Sequence, residues 1–149
     1  MLLAGVNHCN YLFCNESEAE ELAKNMGWDA ALAHADKMQE VAKMMAALPN
    51  VRKGGLKAVI TQGADATLIA CAGNVTTYEV KANPWTLTKA DLKDTNGAGD
   101  AFVGGFLSQL ALGADEAACV KMGHFAAGTI IQNPGCTCPA YDTVAKVLA

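Results

Sequence analysis

A chain of 149 residues with 52% hydrophobic and 17% charged side chains has the make-up of one compact domain with a real core, far from the disordered regime. Its net charge of −4, with no basic cluster longer than Arg52-Lys53, argues against nucleic acid and against an anionic membrane surface as partners. No window approaches the ~20 apolar residues of a membrane span and the opening MLLAGVNHCNYLF has no basic leader, so a cytoplasmic protein is expected.

In chain order, residues 11–14 read as a short apolar strand, and Asn15 followed by Glu16 and Glu18 supplies a cap and an acidic first turn to a helix ending at Gly27. A second helix is predicted from about Asp29, with Leu32, Ala35, Met38, Val41, Met45 and Leu48 at helical spacing until Pro49 stops it. Residues 52–55 form a loop, and residues 56–62 read as a buried strand. TLIACAG and VTTYEV flank a tight turn placed at Gly73-Asn74, the pattern of an antiparallel hairpin at a sheet edge. Asn83-Pro84-Trp85 breaks the pattern. Helices follow over residues 98–112 and 115–132, then a Pro-Gly turn at 134–135 and a short terminal helix. Strands alternating with helices predict a layered α/β fold, its sheet mostly parallel with an edge hairpin. Six cysteines (Cys9, Cys14, Cys71, Cys119, Cys136 and Cys138) include no CxxC pair and are read as reduced thiols.

The stretch DTNGAGDAFVGGFLSQL at residues 94–110 holds a contradiction, because Gly costs a helix interior ~0.5–1 kcal/mol relative to Ala. Two glycines open this helix and two more follow within it. A Gly-rich turn at a helix N-terminus exposes backbone N–H groups to an anion, with the helix dipole behind them. Gly97, Ala98 and Gly99 form a candidate cradle of this kind. Asp100 directly after it would be repelled by a bound phosphate unless it accepts a proton or faces a cation. The competing reading is an ordinary helix start, with Asp100 complementing the dipole. GAGDAF lacks the third Gly of a dinucleotide fingerprint, and no P-loop motif occurs.

DTNGAGDAFVGGFL closely resembles the C-terminal motif of the ribokinase-like carbohydrate kinase family. FCNESEAEELA resembles that family's N-x-x-E segment, and VITQGADAT its ATP-contacting strand and turn. MGHFAAGTIIQNPGCT resembles the stretch bordering the nucleotide base in the adenosine kinase branch. The four matches occur in the family's order, and the resemblance covers about residues 11–139.

The resemblance implies an αβα ribokinase-like fold and transfer of the ATP γ-phosphate to the 5′-hydroxyl of adenosine, giving AMP. Asp100 would be the general base, and Gly97, Ala98 and Gly99 the anion hole. Asn15 and Glu18 would act through waters on Mg²⁺, although spacing alone makes them a helix cap and a first-turn acid. Thr61 and Gly63 would touch ATP, and His124 would lie beside its adenine, where a core histidine is the plainer reading. Asp94 and Asn96, with the loop around Gly135, resemble a monovalent cation (K⁺) site, where the plainer reading is that Asp94 caps the strand-to-helix turn. Gly104 and Gly105 would let the next helix approach through its small face Gly123, Ala126, Ala127 and Gly128.

Nothing in the sequence corresponds to the family's N-terminal half, with its lid and Gly-Gly motif. A single domain over residues 1–149, incomplete at its N-terminal side, is therefore expected. The parent enzyme would be a monomer, whereas the shorter chain would self-associate through an open sheet edge. Two rival readings are a sugar kinase of the same family and a nucleotide-binding remnant without turnover.

Overall fold

The apolar run YLFC becomes strand β1 (Tyr11–Asn15), and the switch to acidic residues after it starts helix α1 (Glu16–Asn25). These elements come from a computed structural model, which describes residues 5–80, 87–88, 90–135 and 137. The chain divides into two units, Met1–Glu79 and Val80–Ala149.

In the first unit, α1 buries Ala19 and Ala23, and the left-handed Gly27 (φ 69°) follows it as a helix terminator does. The single helix predicted from Asp29 is in fact two, α2 (Asp29–Leu32) and α3 (Lys37–Ala46). The break has a local cause. In a continuing helix the Asp36 N–H would donate to the Leu32 carbonyl, but here it donates to His34 Nδ1 at 3.1 Å, an alternative partner offered by a nearby side chain. The predicted apolar spacing survives beyond the break, since α3 buries Met38, Val41, Ala42 and Met45.

Strands β2 (Lys57–Gln62), β3 (Asp65–Cys71) and β4 (Asn74–Tyr78) complete a four-stranded sheet of order β1-β2-β3-β4. The β1–β2 pair is parallel, and β2–β3 and β3–β4 are antiparallel. The α/β sheet and its hairpin are thus present, with β1–β2 as the parallel pair among the described strands. The hairpin turn lies one residue earlier than predicted, at Ala72 and Gly73. Both have positive φ, 48° and 81°, as a two-residue primed turn requires, and Asn74 already pairs with Cys71. Helices α1 and α3 pack on one sheet face, closing a core of Ala58, Ile60, Leu68 and Ala70 with Val41 and Met45.

The second unit contains α4 (Ala98–Ala111) and α5 (Glu116–Ile130), joined through Gly113 at φ 76°. Asp115 caps α5 by accepting the Ala118 N–H at 2.8 Å. The two helices interlock through Gly105, where a Cβ would strike the Met122 carbonyl oxygen and sit 3.0 Å from Ala126 Cβ, and through Gly123, where it would meet the Phe102 ring at 2.7 Å. Gly104 does not share this role: it faces outward, and a Cβ there would meet nothing within 4 Å.

Among the described residues Cys9, Cys14, Cys71 and Cys119 are free thiols, and no helix is long and apolar enough to cross a membrane. The Asn83-Pro84-Trp85 break, the Cys136 and Cys138 pair and the expected terminal helix lie outside the described residues.

Candidate functional site

In the first unit the expected residues gather at one end of the parallel pair. The ladder sets Asn15 opposite Thr61, so the start of α1 and the end of β2 share a rim. At Thr61 the β2–β3 register shifts by a bulge between Ile60 and Gln62, a device that re-aims side chains next to sites. Gly63 follows in the left-handed region (φ 61°), and Gln62 Nε2 ties the turn by donating to the Ala66 carbonyl at 2.6 Å. Asn15 and Glu18 form a reciprocal capping box. Asn15 Oδ1 accepts the Glu18 N–H at 2.9 Å, and Glu18 Oε2 accepts the Asn15 N–H at 2.8 Å, which satisfies two first-turn donors.

Both residues are exposed. The neighbouring Cys14 thiol is pushed up to about 12, first by burial and then by the Glu18 carboxylate. That thiol is held protonated and inert.

In the second unit, α4 begins from Gly97 in the left-handed conformation (φ 77°), and no side chain caps it. The Ala98 N–H donates to the Thr95 carbonyl at 3.3 Å, and the Gly99 and Asp100 amides are left to water or to a ligand. Gly99 and Asp100 are exposed in that turn. Only Gly97 uses positive φ here; Gly99 does not.

The preceding loop is tied down. Asp94 Oδ1 accepts the Asn96 N–H at 2.9 Å, Oδ2 accepts the Gly135 N–H at 3.1 Å, and the Ile131 carbonyl accepts from Lys93 N at 2.8 Å and Asp94 N at 3.4 Å. The structure thus joins Asp94 to the Asn96 amide and to the Gly135 loop through hydrogen bonds. His124 lies on α5, half-buried, with its ring 5.5 Å from that of Phe102. Burial lowers its pKa and favours the neutral imidazole.

Sequence reasoning missed the Phe102–Gly123 interlock and the Ile131 carbonyl. The first was legible as an aromatic two residues after Asp100 facing a glycine on the next helix. The second carries no side-chain signal at all. Among the described residues no three His, Cys, Asp or Glu side chains cluster as metal ligands.

The profile of the pfkB family of carbohydrate kinases matches residues 1–143. Adenosine kinase 1 of Arabidopsis thaliana is 43% identical over 134 residues, which are 89% of this chain and 36% of that protein. A crystal structure of Anopheles gambiae adenosine kinase in complex with P1,P4-di(adenosine-5) tetraphosphate aligns at 39% identity with a TM-score of 0.72, over 89% of this chain and 38% of its own. Adenosine kinase from Schistosoma mansoni in complex with adenosine and AMP aligns at 27% identity with a TM-score of 0.78, over 95% of this chain and 39% of its own. The chain spans little more than a third of the length of these relatives.

Proposed function

The chain belongs to the pfkB family of carbohydrate kinases, and from that premise we propose that it is the phosphate-handling part of a cytoplasmic, monomeric adenosine kinase. That enzyme moves the γ-phosphate of ATP to the 5′-hydroxyl of adenosine and releases AMP. The observation that carries the reading is the uncapped start of α4. Gly97 turns the chain into the helix, Gly99 leaves its backbone bare, and the Asp100 carboxylate is exposed in the same turn.

Phosphoryl transfer needs little beyond positioning and charge stabilisation. The Gly97–Gly99 turn faces the charge that develops on the transferring group through the Gly97 and Gly99 amides, the Ala98 amide being donated to the Thr95 carbonyl, and the helix dipole adds to it. Asp100 accepts the proton of the attacking hydroxyl. In the first unit, Thr61 and Gly63 contact ATP from the end of β2. In the second, Asn96 contacts the nucleotide beside Gly97, and His124 offers a neutral ring to the adenine.

Magnesium fits the rim of the first unit in a limited way. Glu18 is exposed and uses Oε2 on the Asn15 N–H, which suits an ion that retains its waters and asks only for an outer oxygen. Glu18 would hold such an ion through water, with Asn15 fixing its orientation. When bound, Mg²⁺ neutralises charge on the phosphates. Asp94 spends one lone pair of each carboxylate oxygen on an N–H and would offer a monovalent cation such as K⁺ only the others; no step runs through that ion.

The test is a chimera in which this chain replaces the matching segment of Arabidopsis thaliana adenosine kinase 1, assayed for conversion of radiolabelled adenosine to AMP. ATP-dependent AMP formation should fall at least ~10²-fold in Asp100→Asn with ATP affinity unchanged. A variant that keeps most of its kcat would remove Asp100 from the role. The 149-residue chain by itself should bind ATP weakly, self-associate, and show no useful turnover, since effective molarity is lost where the second substrate is not held.

A further inference from the structure

The helix that carries Asp100 has no cap of its own, so something before it must fix where it starts. Gly97 has no side chain to offer, and the segment leading to it consists of exposed residues Thr95 and Asn96. Asp94 is the side chain that solves this. One carboxylate oxygen takes the N–H of Asn96, two residues ahead in its own loop, and the other takes the N–H of Gly135, beyond the far end of α5.

The platform it grips is itself fixed. The Ile131 carbonyl receives the Lys93 and Asp94 amides, the Gln132 side chain donates to the Gly128 carbonyl at 2.7 Å, and the Asn133 side chain donates to that of Thr129 at 2.9 Å. The segment after α5 is thereby wound back onto its own helix.

We infer that Asp94 is a positioning residue, a clamp that holds the 131–135 segment against the loop before α4 and so sets the orientation of the 97–100 turn. The inference rests on the reading of that turn as the phosphate-facing one. Its chemistry is specific to a carboxylate. Two acceptor oxygens meet two N–H donors, whereas an asparagine in the same place has one acceptor and must turn an N–H₂ against an N–H.

Two measurements test the clamp. In the 149-residue chain, amide hydrogen exchange read by NMR should show Asn96 and Gly135 exchanging at least about tenfold faster in Asp94→Ala, the scale of one charge-assisted hydrogen bond. Asp94→Asn should free one of the two amides, and Asp91→Asn, which loosens only the Thr88 turn, should free neither. In the chimera, Asp94→Ala should lower kcat about tenfold or more while KM for ATP stays within about twofold, with Asp94→Asn between it and the parent.

Unchanged Gly135 exchange in Asp94→Ala, or unchanged kcat, would overturn the proposal. So would release of the Gly135 amide in the parent when potassium chloride is replaced by tetramethylammonium chloride, because a cation would then be holding the loop. If Asp100→Asn remains active, the phosphate-turn reading is the one that fails, and the exchange data still decide whether Asp94 is the clamp.

Discussion

Two adjacent glycines in α4 should respond to the same substitution with opposite signs. At Gly105 a new Cβ would drive into the Met122 carbonyl oxygen and lie 2.9 Å from its carbon. The carbon contact is about 0.6 Å short of the ~3.5 Å optimum for a carbon pair, and the obstacle is helical backbone that cannot rotate away. Relief requires α4 and α5 to part, and parting them loosens Phe106 and Phe102, which are 0% and 2% exposed. Overpacking of this kind costs ~1–3 kcal/mol, offset by the ~0.5–1 kcal/mol that Ala contributes over Gly in a helix, so Gly105→Ala should lose about 1–2 kcal/mol net. Gly104 meets nothing within 4 Å, so Gly104→Ala should gain ~0.5–1 kcal/mol from propensity alone. At ~2–4 °C per kcal/mol for a chain of this size, the two variants should melt roughly 3–12 °C apart. Thermal and urea unfolding followed by circular dichroism at 222 nm measure this. Equal shifts, or a Gly104→Ala variant less stable than Gly105→Ala, would refute the close-approach argument.

Gly99→Val should leave the fold intact, since nothing crowds that position and its φ is not positive, yet it should weaken ATP binding in the chimera by calorimetry; unaltered affinity would move the phosphate cradle elsewhere. Asn15→Ala removes one half of the capping box and should cost about 1 kcal/mol of stability, read by denaturant titration with Asn15→Ser as the rescuing variant. Cys14 should alkylate with iodoacetamide about a thousandfold more slowly at pH 8 than an unshifted cysteine, checked by peptide mapping. Because the folded state keeps a Cys14 proton that the unfolded chain releases, stability should fall as pH rises from about 9 towards about 12. For His124 the sign is reversed: its lowered pKa makes its contribution complete above about pH 6.5 and lost as acid protonates the buried ring, so His124→Gln should flatten the acid limb of the stability profile.

Much of this architecture was legible in the residues because each signal had a local cause. The cap at Asn15, the acidic start of α1 and the stripe of Met38, Val41 and Met45 act within one helix, and all appear where their spacing puts them. What escaped depended on competition or on distance. The split between α2 and α3 turns on His34 taking one amide, which an apolar periodicity read across residues 29–48 does not register. The hairpin turn moved because Ala72 accepts positive φ, a conformation that sequence reasoning reserves for Gly and Asn. Gly104 and Gly105 are identical letters, and only the position of Met122 on the neighbouring helix separates a packing glycine from an outward one. At the site, Gly97 and Asp100 announced themselves by type and spacing. Asp94 was read either as a cation ligand or as a cap of its own turn; the bond to the Gly135 N–H, 41 residues away, carries no local signal.

The parallel ladder between β1 and β2 has a consequence for how freely this chain can vary in length. Asn15 and Thr61 are neighbours because their strands are in register, and the residues that connect them set no part of that spacing. The exposed residues 53–55 include Gly54 and Gly55 at positive φ with open space around them. Insertions there lengthen the path without displacing either end, at a closure cost that grows only by ~0.6 kcal/mol per doubling. A single residue added inside β1 acts differently: it slides the strand by one position, turns Leu12 and Cys14 off the face packed by α1 and α3, and carries Asn15 away from Thr61. Length polymorphism among natural variants of this chain should therefore collect at 53–55 and be absent from residues 11–15.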